Sequence, residues 1–258
     1  MIKVNILLTA TLLFVFLINL QKSFAQDNSE SNPFEMNETI KQVPDGLTAY
    51  GIIDKYLEAI GGKEKFSNVK DRTTIMRGEI MGQNLSIVIK QKAPNKLKQS
   101  IRSGEMKQTI YYDGTNGVMM IGDERTAIGN KELGKLKLEA AMDFLLNPKA
   151  YGVSLKLIGI ETVDSTDSYK IELTTEGGTN WVQFYSIDWG LKIKEVKEVE
   201  TTQGSFEQET FYSDYKEVDG LKFPFKIKQS FGIQTIEMNV SSVKLNKGLE
   251  DSVFEIPE

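Results

Sequence analysis

Between residues 192 and 219 acidic and basic side chains crowd closely enough to do chemistry. Glu195, Glu198 and Glu200, then Glu207 and Glu209, then Asp214, Glu217 and Asp219 make three carboxylate groups, interleaved with Lys192, Lys194, Lys197 and Lys216. Neighbouring carboxylates can divide the roles of general acid and general base, as in glycosidic cleavage. A plainer use fits the pattern better. These residues lie on segments of period two whose other side is apolar, so they are expected to form cross-strand ion pairs on a solvated face. Little else in the chain is reactive, because it has no His and no Cys. Imidazole bases, thiolate nucleophiles and the usual zinc ligands are thereby excluded. Asp71, Asp113, Asp123 and Asp188 fall at turns, without the spacing of a calcium loop. No catalytic residue, metal or cofactor is expected, and a carboxylate-only hydrolase is the one enzymatic alternative.

Period-two segments dominate the chain. Strands are expected over 72–81, 84–92, 96–102, 105–112 and 117–121, and again over 153–162, 168–175, 180–187, 191–200, 205–215, 221–231 and 233–245. The breaks between them include Gly82, Ala93-Pro94-Asn95, Gly177-Gly178, Gln203-Gly204, Asp219-Gly220 and Phe231-Gly232, the residue types that tight antiparallel connections use. A helix is expected over 47–60, where Ile53, Tyr56, Leu57 and Ile60 form one stripe and Gly61-Gly62 ends it, with one more turn over 63–66. A second helix is expected over 131–147, limited by Gly134 and Pro148 and apolar enough to be buried from more than one side. About twelve antiparallel strands cannot stay flat. The expected fold is mainly β with two or three helices: a strongly curved antiparallel half-barrel, an unclosed β-barrel plugged by helices that bury their stripes against its concave side.

Ahead of the first helix the composition changes twice. Lys3, the apolar run from Val4 to Leu20, and Ser23 and Ala25 read as a signal peptide cleaved after Ala25. Retention as an anchor is the alternative, although Asn5, Thr9 and Thr11 dilute the run. Residues 26–46 form a polar, flexible leader, leaving a single domain over 47–258. Loss of the first 25 residues takes Lys3 and Lys22 from 31 basic residues and nothing from 36 acidic ones, moving the net charge from -5 to -7. An acidic surface argues against nucleic acid as a partner. The expected product is a soluble, exported protein without disulfides, held together by its core alone.

The candidate binding surface is apolar. In DYKEVDGLKFPFKIKQ (214–229), Leu221, Phe223, Phe225 and Ile227 point to one side and Lys222, Pro224, Lys226 and Lys228 to the other. Pro224 lacks an N–H and marks a bulge or an edge. Trp181 and Tyr185, Ile236 and Met238, Ile87 and Ile89, and Met119 share the inward parity, and Met142 and Leu145 face them from the second helix. Singly, each reads as core. Together they exceed what two helices can cover, leaving apolar concave surface for a ligand. Methionines at 76, 81, 106, 119, 120, 142 and 238 could repack around such a ligand or simply fill gaps. Trp189 either caps one end of the core or touches a membrane or partner, and the cap is expected.

Four stretches, LTAYGIIDKYLEAIGGKEKFSNVKD, WVQFYSIDWGLKIKEV, FYSDYKEVDGLKFPFKI and LNKGLEDSVFEIP, resemble the LolA/LolB-like lipoprotein-localisation superfamily, in particular the outer-membrane lipoprotein-sorting-like proteins of Bacteroidetes-type bacteria. The resemblance spans residues 47–257. It implies a half-barrel whose hydrophobic cavity carries the acyl chains of lipoproteins or other lipids through the periplasm as a monomer, with sorting proteins of the inner and outer membranes as partners. It also implies an arginine that locks the helical lid, for which Arg77 is the positional choice. No N-terminal Cys of the anchored receptor branch is present, so a shuttle is the nearer analogue. The alternative is a non-catalytic interaction or assembly module of the cell envelope, with the same fold and a self-filled core. Burial of a methylene contributes about 0.8 kcal/mol, so one acyl chain offers on the order of 10 kcal/mol before the lid is displaced.

Overall fold

The computed structural model describes residues 43–175, 180–201, 204–231 and 234–258. The expected signal peptide (residues 1–25), residues 26–42 of the expected leader, the expected Gly177-Gly178 turn, Gln203 and Gly232 lie outside the described residues.

Thirteen strands form one unclosed antiparallel sheet among the described residues. The first meander comprises β1 (Asp71–Ile80), β2 (Gln83–Lys92), β3 (Lys96–Ser103), β4 (Met106–Tyr112), β5 (Gly117–Ile121) and β6 (Glu124–Ala127). The second comprises β7 (Val153–Val163), β8 (Thr166–Thr175), β9 (Asn180–Ser186), β10 (Lys192–Thr201), β11 (Gly204–Val218), β12 (Leu221–Phe231) and β13 (Gln234–Leu245). The order β6-β5-β4-β3-β2-β1-β13-β12-β11-β10-β9-β8-β7 makes β6 and β7 the two edges and β1–β13 the ladder that joins the meanders. Strand β6 was not expected. It has four residues and no buried side chain, so it carries no apolar alternation to read.

Among the described residues three α-helices accompany the sheet: α1 (Ala49–Ala59), α2 (Lys63–Ser67) and α3 (Asn130–Ala140). Helix α1 starts at Thr48, whose hydroxyl accepts from the Gly51 N–H at 3.0 Å, and buries Ile52, Ile53 and Leu57. Its end is pinned to the β11–β12 hairpin, where the Lys222 N–H donates to the Ile60 carbonyl at 2.7 Å. Helix α3 corrects the expectation of 131–147. Gly134 is interior to it, and Ala141 turns extended (φ -72°, ψ 102°), so Met142, Phe144 and Leu145 lie on a turn instead of a helical stripe. The reason is a core in two parts. Leu136 and Ala140 pack into the cluster under β1–β5, β12 and β13, whereas Leu138, Phe144 and Leu145 pack into the cluster formed by α1 with β7–β9. The segment between β6 and β7 thus crosses from one sheet edge to the other over the concave side.

Directly opposed residues share a face in an antiparallel sheet, so the register lays out the concave wall. Its rows include Arg72–Gln91–Leu97, Thr74–Ile89–Gln99 and Met76–Ile87–Ile101. The register shifts at three places, between Ile75 and Met76 opposite β13, between Leu157 and Gly159 opposite β8 and between Lys192 and Lys194 opposite β9, whereas Asp214 has φ +53° with the β11–β12 register unchanged. Pairing of β12 with β13 begins only at Lys226↔Asn239, while β13 stays paired with β1 as far as Leu245. A wedge therefore opens between Leu221–Phe225 and the end of β13. Pro224 sits in this wedge, where its missing N–H loses no bond to β13.

The convex face is solvated, as expected, around Glu198 and Glu207, which are exposed, and Lys194 pairs with Glu209 at 2.6 Å. Lys170, Phe184, Lys194, Phe211 and Lys228 form an unbroken cross-strand row over β8 to β12 with cation-to-ring distances of 5.3–5.7 Å. Behind β1, the Asp71 carboxylate accepts backbone N–H groups of Lys247, Gly248 and Leu249, clasping the C-terminal segment to the start of the sheet.

Candidate functional site

A cavity of about 380 Å³ lies between the concave wall and the α3 segment. One side is apolar: Ile60 and Phe66 from the α1–α2 region, Ile89, Leu97, Val240 and Val243 from the sheet, and Leu138, Met142, Phe144 and Leu145 from the crossing segment. The wedge contributes Phe223 and Pro224, so Pro224 faces the cavity, contrary to its expected outward direction. Of the residues predicted to bind, Ile89, Met142, Leu145, Trp181, Phe223 and Ile227 line this space. Ile87, Met119, Tyr185, Ile236 and Met238 are buried in the core away from it. Phe225 is half-buried beneath the Lys216 ammonium, 5.0 Å from its ring centre.

The opposite side is charged, which overturns the placing of all the 192–219 charges on a solvated face. Glu195 is 5% exposed and lines the cavity with Lys192 and Lys197. Its carboxylate accepts from Lys192 Nζ (2.9 Å) and Gln183 Nε2 (2.7 Å), and pairs through its other oxygen with Lys197 Nζ (2.9 Å). Lys197 also faces Glu139 of α3 at 3.6 Å, and the Tyr185 hydroxyl donates to Gln183 Oε1. Burial opposes the charge on Glu195, but the attraction of Lys192 and Lys197 outweighs it and holds the carboxyl well below the usual range. Burial likewise opposes the charge on Lys197, and Glu195 and Glu139 overcome it and raise its pKa. A carboxyl kept ionised by two ammonium groups is unsuited to donate a proton, so the cluster is a poor acid–base dyad. Trp181 joins the two sides: Lys197 Nζ stands 4.2 Å from its ring centre, and Phe144 meets its edge at 6.1 Å.

Strand β10 carried a signal for this wall. Glu195 and Lys197 point inward with Gln183 and Trp181, while Lys194 and Glu198 point outward. A strand charged at both parities must turn one charged row inward, and the local irregularity at Ile193 hides the alternation.

Arg77 is exposed, and the arginine of β1 that faces the helices is Arg72. Its Nε and Nη2 donate to Gln91 Oε1 at 3.1 and 2.5 Å, and Gln91 Nε2 donates to the Glu139 carbonyl of α3 at 2.8 Å. The sheet is thus tied to the crossing segment through a neutral amide. Gln91→Leu is expected to raise amide hydrogen exchange over residues 131–146 about tenfold, since it removes one charge-assisted bond and the tie to α3. Unchanged exchange there, read by mass spectrometry, would show that the tie does not hold the segment.

Trp189 is 60% exposed on the β9–β10 turn, so it does not cap the core; Gly190 beside it makes the close approach, to Ala59 of α1. A second cavity of about 570 Å³ beside Trp189 has Phe211 and the predicted binders Ile227 and Met238 in its lining and is edged by the exposed Asp164, Lys226 and Lys228.

No family model and no curated protein matches the chain by sequence. Solved structures do resemble it. A LolA superfamily protein from Nitrosomonas europaea aligns with a TM-score of 0.54 at 14% identity, over 81% of this chain and 98% of that one. A DUF1329 family protein from Desulfovibrio piger aligns with a TM-score of 0.52 at 15% identity, over 80% and 97%. A putative outer membrane lipoprotein-sorting protein domain from Vibrio parahaemolyticus aligns with a TM-score of 0.52 at 10% identity, over 80% and 95%. Thirteen antiparallel strands in one unclosed sheet, helices across its concave side and these three likenesses together establish a LolA-like fold.

Proposed function

We propose that this protein is a non-enzymatic periplasmic carrier that shields an acyl chain of a lipoprotein or another lipid in its concave cavity. The observation that carries this reading is the 380 Å³ space between sheet and crossing segment, apolar over one side and enclosed by a segment whose contacts to the sheet include the Gln91 amide and Lys197 facing Glu139. At ~30 Å³ per water-sized group the space holds about a dozen such groups, enough for much of one chain, and displacement of α3 would admit more. The resemblance in fold to lipoprotein-sorting proteins supports the same class of cargo. Among the described residues no helix is long and apolar enough to cross a membrane, and the loading and unloading partners would be membrane-resident sorting proteins.

Two measurements test this. Mass spectrometry of organic extracts from protein purified out of its native compartment is expected to find a bound amphiphile. Thr74→Phe projects a ring into the cavity from the half-buried Thr74 on β1 and is expected to weaken displacement of a fluorescent fatty acid at least tenfold, with the fold retained by circular dichroism. An empty extract together with unaltered binding in Thr74→Phe would sink the carrier and leave a cell-envelope interaction module on the same scaffold.

A further inference from the structure

The charged side of the cavity is not neutral. Beside the exposed Lys222 at its edge, Arg72, Lys192 and Lys197 line it against two carboxylates, Glu139 and Glu195. Both lysines converge on Glu195, and Lys197 also faces Glu139, so the carboxylates are committed to them. Among the described residues no carboxylate pairs with Arg72, whose contacts are the Gln91 oxygen and the Phe223 ring, 5.8 Å from the guanidinium carbon. Gln91 supplies one neutral oxygen to a group with five N–H donors. The surface Arg72 retains opens on the cavity, and burial lowers its pKa, the sign of a desolvated cation. Tyr56 lines the same corner; its hydroxyl makes no hydrogen bond to a described residue and lies close enough to feel the guanidinium charge.

A desolvated guanidinium without a counter-ion is unfavourable by itself and favourable once an oxyanion accepts its free N–H groups. Phe223 and the apolar side lie directly beside it. We infer that Arg72 is the headgroup site of this cavity, and that the ligand is a single-chain amphiphile bearing a carboxylate or phosphate, its oxyanion on Arg72 and Tyr56 and its chain along Ile89, Leu145 and Phe223. This rests on the carrier reading and narrows it from any acyl chain to an anionic one.

The chain has two tryptophans, Trp181 in the cavity and Trp189 outside it, so Trp189→Phe leaves Trp181 as the sole reporter. That protein is titrated at submicellar concentration with two matched pairs: palmitate against hexadecanol, and 1-palmitoyl-glycerol 3-phosphate against 1-palmitoylglycerol. At least one anionic member is expected to bind about tenfold or more tighter than its neutral partner, the size of one charge-assisted contact, and the pair that shows it identifies carboxylate or phosphate as the headgroup. In Arg72→Gln the preference is expected to fall to within about twofold with affinity for the neutral member kept, and Arg72→Lys is expected to keep most of it. Equal binding of acid and neutral lipid by the parent protein, or a preference that survives Arg72→Gln, overturns the assignment while leaving the carrier intact. Failure of all four lipids to bind removes the carrier reading itself.

Discussion

Glu195→Leu is expected to cost about 3–5 kcal/mol of folding free energy, because it leaves Lys192 without a carboxylate partner and Lys197 with only the longer carboxylate contact to Glu139 inside the cavity wall. Urea denaturation at neutral pH reads this directly, and a loss under about 1 kcal/mol would show that the lysines relax to solvent. The same carboxylate sets an acid limit. Its folded pKa lies well below the unfolded value of about 4.3, so the unfolded chain takes up the proton first. Its contribution is complete above that value and disappears as the pH falls through it toward the folded pKa. In Glu195→Gln the decline of stability below about pH 5 should therefore be shallower than in the parent. An identical acid limb in both proteins would place the pH sensitivity on other carboxylates.

Gly61→Ala is expected to destabilise by roughly 2–4 kcal/mol. Gly61 has φ +127°, and a Cβ there would stand 2.2 Å from the Gly220 carbonyl oxygen and 3.2 Å from Leu221 Cα, both backbone atoms. Neither side can withdraw easily, since the Lys222 N–H to Ile60 carbonyl bond ties helix α1 to the hairpin at this point. Gly248→Ala separates the causes: its φ is +73° but nothing lies within 4 Å of the added Cβ, so only backbone strain of about 1 kcal/mol remains. Equal losses in the two variants would refute the close approach of α1 to the hairpin.

The strands and their turns were legible because alternation and Gly- or Asn-bearing breaks are local signals. So was α1, whose stripe and glycine stop lie within fifteen residues. What stayed hidden was information carried by the partner element. The end of α3 depends on two core clusters pulling its apolar residues apart, which helical periodicity cannot register. Arg72 and Arg77 could not be told apart because Ile75 and Met76 are adjacent and both apolar, leaving the inward parity of β1 undecided. The inward row of β10 was misread because acids interleaved with lysines ordinarily indicate a solvated strand. Here they neutralise each other at the cavity wall, a use that only the opposing Trp181 and Glu139 reveal. Half of the predicted binding residues reached the cavity, since parity separates concave from convex but does not separate packed wall from open wall.

The joining of both meanders through β1 and β13 alone has a consequence for the order of assembly. Every other ladder in the sheet pairs strands adjacent in sequence, so each hairpin can form as soon as its own residues are available. The β1–β13 ladder instead brings Arg72 opposite Leu245, near opposite ends of the domain, and its loop-closure entropy is the largest in the fold. The lone arginine of the cavity comes to rest beside Phe223 only when that ladder forms. A chain whose last strand has not yet emerged therefore lacks both the ladder that joins the two meanders and the part of the cavity wall that Val240 and Val243 supply.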